Sequence, residues 1–133
     1  MGEKFCTFEL GSYPFYLIYT VGTSVGEIVE FLKQNDYKLG ASEEEFILKR
    51  QLKNGWTLLL DSGALVLWLK QPPKTAYYTA ALAHEAFHAT SFLFTNVGVR
   101  YCEDSEEAWA YQIQFIVEKC YNSRVGFDKE EQK

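Results

Sequence analysis

Residues 75–96 contain no proline and no glycine, and apolar side chains dominate them. A stretch of that kind supplies a domain's principal helix, against which the rest of the chain must pack. Both of the chain's histidines lie near its centre, in the order His84-Glu85-Ala86-Phe87-His88. A helix advances about 1.5 Å and 100° per residue, so positions i and i+4 share a face about 6 Å apart. Two imidazole nitrogens so placed can close on one tetrahedral Zn²⁺ at about 2.0–2.1 Å each. Glu85 is rotated to one side of that face, where it can take a proton from an attacking water rather than ligate the metal. Two helical histidines can also be hydrogen-bonded core groups or solvated surface groups, and H-E-x-x-H also arises by chance. The apolar, helix-forming flanks and a suitable carboxylate downstream favour the metal site.

A length of 133 residues fits one domain with a real core, and 47% apolar with 17% aromatic residues marks a folded chain. The net charge is −5, and no basic cluster exceeds the pair Lys49-Arg50, so no nucleic-acid partner is expected. Cys6, Cys102 and Cys120 are widely spaced and form no C-x-x-C motif, which argues against a cysteine zinc knuckle. Their odd number fits a reducing, cytoplasmic compartment, with each read as a small buried hydrophobe. The opening residues carry no signal-peptide core, and Cys6 stands where a myristoylation start wants Ser or Thr. Residues 75–96 are long and apolar enough to raise a membrane span, but His84, Glu85 and His88 would be costly in lipid, so no membrane association is expected.

Residues 5–10 and 13–20 read as strands parted by Gly11-Ser12, with Pro14 placing the start of the second at an edge. Thr23-Ser24 caps a helix whose Ile28, Phe31 and Leu32 form one apolar face. The acidic run Glu43-Glu44-Glu45 reads as solvated surface. Residues 46–52 alternate like a strand, Asn54-Gly55 supplies a hairpin turn, and 56–60 form the return strand. Asp61-Ser62-Gly63 then turns the chain into 64–69, which is apolar on both faces and so expected to be buried on both sides. Pro72-Pro73 breaks the sheet, Thr75 caps the motif helix, and a Gly or Asn cap ends it between Asn96 and Gly98. Ser105 caps a last helix. The order β, α, β-meander, α, α predicts an α+β fold, with a small antiparallel sheet packed against helices. Residues 1–122 form the single domain, and 123–133 form a polar tail expected to fray.

Catalytic zinc takes three protein ligands and keeps one position open. The chain has no third histidine, and residues 89–94 exclude the metzincin continuation. The third ligand is therefore sought among Glu103, Asp104, Glu106 and Glu107. Glu107 is preferred: it lies inside the helix that Ser105 begins, and Ala108 and Ala110 permit close packing against the motif helix. Glu106 is the alternative, one residue nearer the cap, where it complements the helix dipole.

The two elements His84-Glu85-Ala86-Phe87-His88 and Glu107-Ala108-Trp109-Ala110-Tyr111 resemble those of the gluzincins. In that clan a Glu-Ala pair on a second helix completes a site of two histidines and one glutamate. The compact size and residues 82–121 are also similar to the small H-E-x-x-H proteins of tailed phages and prophages. The resemblance covers the chain from Thr75 onward and implies a minimal zincin-like core in which His84, His88 and Glu107 hold Zn²⁺. It departs at Tyr111, where many gluzincins carry a carboxylate that supports a histidine. Tyr111 shares a face with Glu107, so it is a candidate to donate its hydroxyl to an oxyanion, against the plainer role of a packed aromatic. Tyr77, Tyr78 and Tyr101 carry the same ambiguity.

The expected function is a zinc-dependent metallopeptidase with Glu85 as general base and a peptide or protein as substrate. A peptide added as an extra strand along a sheet edge, with 64–69 as candidate edge, would complete the site. The alternative is a non-catalytic, zinc-stabilised assembly, inhibitor or protein-binding module of phage type. A DNA-associated protease is disfavoured by the negative charge.

Overall fold

In the computed structural model, residues 4–50 and 53–128 are described. Among them are four strands and four α-helices: β1 (Phe5–Glu9), β2 (Tyr16–Val21), α1 (Val25–Gln34), α2 (Ala41–Lys49), β3 (Gly55–Leu59), β4 (Ala64–Leu69), α3 (Ala76–Val97) and α4 (Glu106–Ser123). A single turn of 3-10 helix, Glu103–Ser105, leads into α4. The class is α+β, as expected. The sheet, however, is mixed rather than a purely antiparallel meander. Its order is β1-β2-β4-β3, with β1–β2 and β3–β4 antiparallel and β2–β4 parallel.

The difference has one local cause. Residues 41–49 form α2 where a strand from residue 46 was expected, so the chain crosses over between β2 and β4 and returns in the same direction. Signals for this helix lie in the acidic run. Glu43 at the third helical position accepts the Gly40 backbone N–H at 2.8 Å, and its other carboxyl oxygen accepts from Asp61 N at 3.3 Å. Glu43 is only 9% exposed, so it is a capping group rather than solvated surface. Glu45 pairs with Lys49 one turn on, at 2.8 Å. Asn54-Gly55 is consequently not a hairpin turn: Gly55 opens β3 after a helix. The remainder of the expected strand, Gln51 and Leu52, lies outside the described residues.

Other terminators act as their chemistry predicts. Ser24 caps α1 in a reciprocal box with Glu27. Thr75 Oγ1 accepts from Tyr78 N at 3.2 Å to open α3, and Gly98, at φ 80°, closes it in the left-handed conformation. Ser105 occupies the N-cap position of α4 without a side-chain cap to the helix; its hydroxyl instead reaches back to the carbonyl of Arg100.

Every residue of β4 is buried, because β4 is central and covered on both faces. It is therefore not the edge that the sequence suggested; the edge strands are β1 and β3, and β3 is the one beside the motif helix. On one face, Leu17, Tyr19, Leu65 and Leu67 pack with Leu82, Ala86 and Leu93 of α3 and Trp109 and Ile116 of α4. On the other, Ile18, Val66 and Trp68 pack with Ile28 and Leu32 of α1 and Ile47 of α2. The result is a three-layer arrangement, helices–sheet–helices, with α3 laid across β3 and β4. The segment expected to fray from residue 123 is partly built in, since Val125 is 1% exposed and Phe127 is 7% exposed. No helix among the described residues is long and apolar enough to cross a membrane.

Candidate metal centre

Leu82, Ala86, Ala89 and Leu93 form the buried stripe of α3. His84 and His88 lie two residues either side of Ala86, roughly 200° around the helix, so both rings face away from the core and both are exposed. Their Nε2 atoms are 3.2 Å apart, with the rings at 75°. Two nitrogens bound to one tetrahedral zinc at about 2.0–2.1 Å each stand about 3.3 Å from one another. The pair therefore fits a shared metal. The same separation also suits a neutral ring donating its N–H to the other.

Glu85 points elsewhere. It flanks the core stripe, roughly 70° from its centre, on the side facing β3, and is 6% exposed. Its Oε1 accepts the Thr57 hydroxyl at 2.7 Å. The same hydroxyl lies 3.2 Å from the Glu85 carbonyl oxygen, but one hydrogen serves one strong bond, and the carboxyl contact is the shorter. Thr57 is itself 7% exposed, in the middle of β3. The sequence reading did not single it out. Its signal was a lone hydroxyl between Trp56 and Leu58, on the opposite face of the strand from both.

Gly55 completes this contact. A Cβ at that position would lie 3.2 Å from Glu85 Cγ, 3.1 Å from Leu69 Cδ2 and 3.3 Å from the Trp68 carbonyl oxygen. A side chain there would have to displace these neighbours by a few tenths of an ångström, so glycine suits the close approach of β3 to α3 at Glu85. Along the free edge of β3 run two shallow hollows that share Lys53, Gly55, His84 and Glu85. The histidines and the acid thus line hollows beside a strand that, among the described residues, pairs only with β4.

The downstream carboxylates are not gathered in the same way. No group of three His, Cys, Asp or Glu side chains able to hold a metal occurs among the described residues. The buried stripe of α4 is Trp109, Gln112, Ile116 and Cys120. Glu107 precedes Trp109 by two residues, roughly 200° away, and is exposed. Tyr111 shares that outward face at 65% exposure and lines neither hollow beside the histidines. Glu106 lies only about 60° from Trp109 and lines an apolar hollow with Phe87, Tyr101 and Ile113. Glu103 and Asp104 are exposed in the 3-10 turn. Tyr77 and Tyr78 bind the Asn54 side chain, and Tyr101 packs edge-on to Trp109.

Among the cysteines, Cys120 is buried, which pushes its thiol up, as the packing role requires. Cys102 is exposed, contrary to that role.

Thr57→Val keeps the shape but leaves a buried carboxyl group without its donor. We expect a loss of about 1–3 kcal/mol in denaturant unfolding. Thr57→Ser, which restores the hydroxyl, should recover most of it. Equal stability for the Val and Ser proteins would show that the contact contributes little.

Searches against protein-family models, curated proteins and solved structures found no match for this chain.

Proposed function

We propose that this chain is a zinc-dependent metallopeptidase. The observation that carries the reading is the Nε2–Nε2 separation of 3.2 Å between His84 and His88, on a helix whose intervening acid is buried against an edge strand. His84 and His88 would hold the metal, with a carboxylate from the start of α4. The resemblance favours Glu107 for that position, and the phase of α4 favours Glu106. When bound, zinc supplies the Lewis acidity that activates water and polarises a carbonyl.

The chain's own residues do the rest. Glu85 takes the proton of the attacking water and returns it to the departing amine. Thr57 fixes the Glu85 carboxyl group through Oε1, which leaves Oε2 for that proton. The unpaired edge of β3 offers backbone groups to an extended peptide, laying it across the histidines as an added strand.

Metal analysis of the purified protein tests the site. We expect one zinc per chain, lost in His84→Ala and in His88→Ala. Glu107→Ala and Glu106→Ala, compared side by side, identify the third ligand by which one weakens zinc affinity. Protein that folds without zinc and takes up none would overturn the reading.

A second reading has its own support: both histidines are exposed, and the described residues hold no assembled three-ligand cluster. A non-catalytic protein-binding module that carries metal would look the same. Hydrolysis of a broad peptide library by zinc-loaded protein separates the two.

A further inference from the structure

The groove beside His84 and Glu85 has a distinctive charge. The chain as a whole is acidic, at −5. Yet the hollow of about 310 Å³ that touches both histidines is lined by Arg50 and Lys53, and Glu85 is the one carboxylate among the described residues that line it. That acid is buried, and one of its carboxyl oxygens accepts the Thr57 hydroxyl. Arg50 is held in place, with its guanidinium carbon 3.7 Å from the centre of the Phe46 ring. Lys53 also lines the adjoining hollow of about 380 Å³, so both hollows carry a cation. The ion pairs seen among the described residues include Lys4–Glu27 and Lys49–Glu45 but none made by Arg50 or Lys53.

Two cations beside a proposed hydrolytic centre, in an acidic chain, are a recognition element for negative charge. Resting on the metallopeptidase reading, we propose that Arg50 and Lys53 bind a carboxylate of the substrate. The favoured peptides then carry an acidic side chain, or their own free C-terminus, close to the bond that is cut. Arg50 suits a planar, two-point contact to a carboxylate, and Lys53 adds a mobile point charge.

Calorimetric titration of the zinc-loaded Glu85→Gln full chain tests this without turnover. The probes are unlabelled peptides that differ at one position, Glu against Gln against Lys, each made with a free or an amidated C-terminus. A charged hydrogen bond is expected to favour the carboxylate peptide by about 10- to 100-fold. The preference should fall as salt rises and vanish when Lys53→Gln and Arg50→Gln are added. Lys53→Glu with Arg50→Glu should reverse it toward the Lys peptide. Preference for the Glu side chain identifies a side-chain subsite, and preference for the free acid over the amide identifies a C-terminal one. Should the Arg50 variants misfold, the exposed Lys53 variants alone must still reduce the preference. Equal affinity for Glu, Gln and Lys peptides and for acid and amide, or binding of none, overturns the proposal. Cleavage by the wild type without acidic preference sinks this inference and leaves the peptidase standing. Acidic preference without cleavage does the reverse.

Discussion

Glu85→Gln is expected to abolish peptide hydrolysis while leaving zinc content and fold intact. The substitution keeps the size of the side chain and removes the base. General-base assistance alone is worth about 10²–10⁴ in rate, and more is lost if the same group also orients the water. Glu85 is held against β3 by its bond to Thr57 and not by a bond to either ring, so its replacement should not disturb the ligand pair. An amide at residue 85 can still accept the Thr57 hydroxyl, so stability should change little. The measurement is kcat on any peptide the wild type cleaves, set beside zinc stoichiometry and thermal melting of the same preparation. Undiminished cleavage by Glu85→Gln would refute the mechanism even with the metal in place. Loss of both zinc and activity would make Glu85 a ligand, which its contact with Thr57 argues against.

The parts of the site that were legible in the sequence are those set by local helix geometry. The i, i+4 placement of His84 and His88, the offset of Glu85, the Thr75 cap and the Gly98 terminator follow from about 100° per residue and from capping chemistry. Burial of Ala64–Leu69 on both sides was likewise legible from its unbroken apolar run. What failed were the non-local inferences. Alternation over residues 46–52 suggested a strand, but Glu43 at a capping position and Glu45 four residues before Lys49 stabilise a helix there. With that one change the hairpin at Asn54-Gly55 vanished, β4 moved from edge to centre, and β3 became the free edge beside the motif. Thr57 could not be assigned to Glu85 before β3 was known to lie against α3. The orientation of α4 was similarly hidden. Small residues after Glu107 suggested close packing, whereas Trp109, Gln112, Ile116 and Cys120 define the face that is buried.

Gly126→Ala should be the most destabilising alanine substitution among the described glycines, at a position the sequence assigned to a frayed tail. Gly126 has φ +85°, in the left-handed region, and a Cβ there would lie 2.6 Å from Val21 Cγ1 and 2.7 Å from Val21 Cβ. Val21 ends β2 and is 7% exposed, so it has little room to retreat. The backbone term is about 1–2 kcal/mol for an L residue. Forced overpacking adds about 1–3 kcal/mol. Together they would remove a large part of the roughly 5–15 kcal/mol that holds such a domain folded. The melting temperature should fall by about 10 °C or more. Gly98→Ala is the internal control, since Gly98 has φ +80° but nothing within 4 Å of the added carbon. It should show the backbone term alone. The difference between the two variants measures how firmly residues 125–127 are pinned. That matters for the candidate site, because Val125 packs in the same core as Cys120, Ile116 and Trp109, the residues that hold α4 against the motif helix. If Gly126→Ala melts no lower than Gly98→Ala, the segment is loose in solution and α4 owes its position to its contacts with α3 and β1.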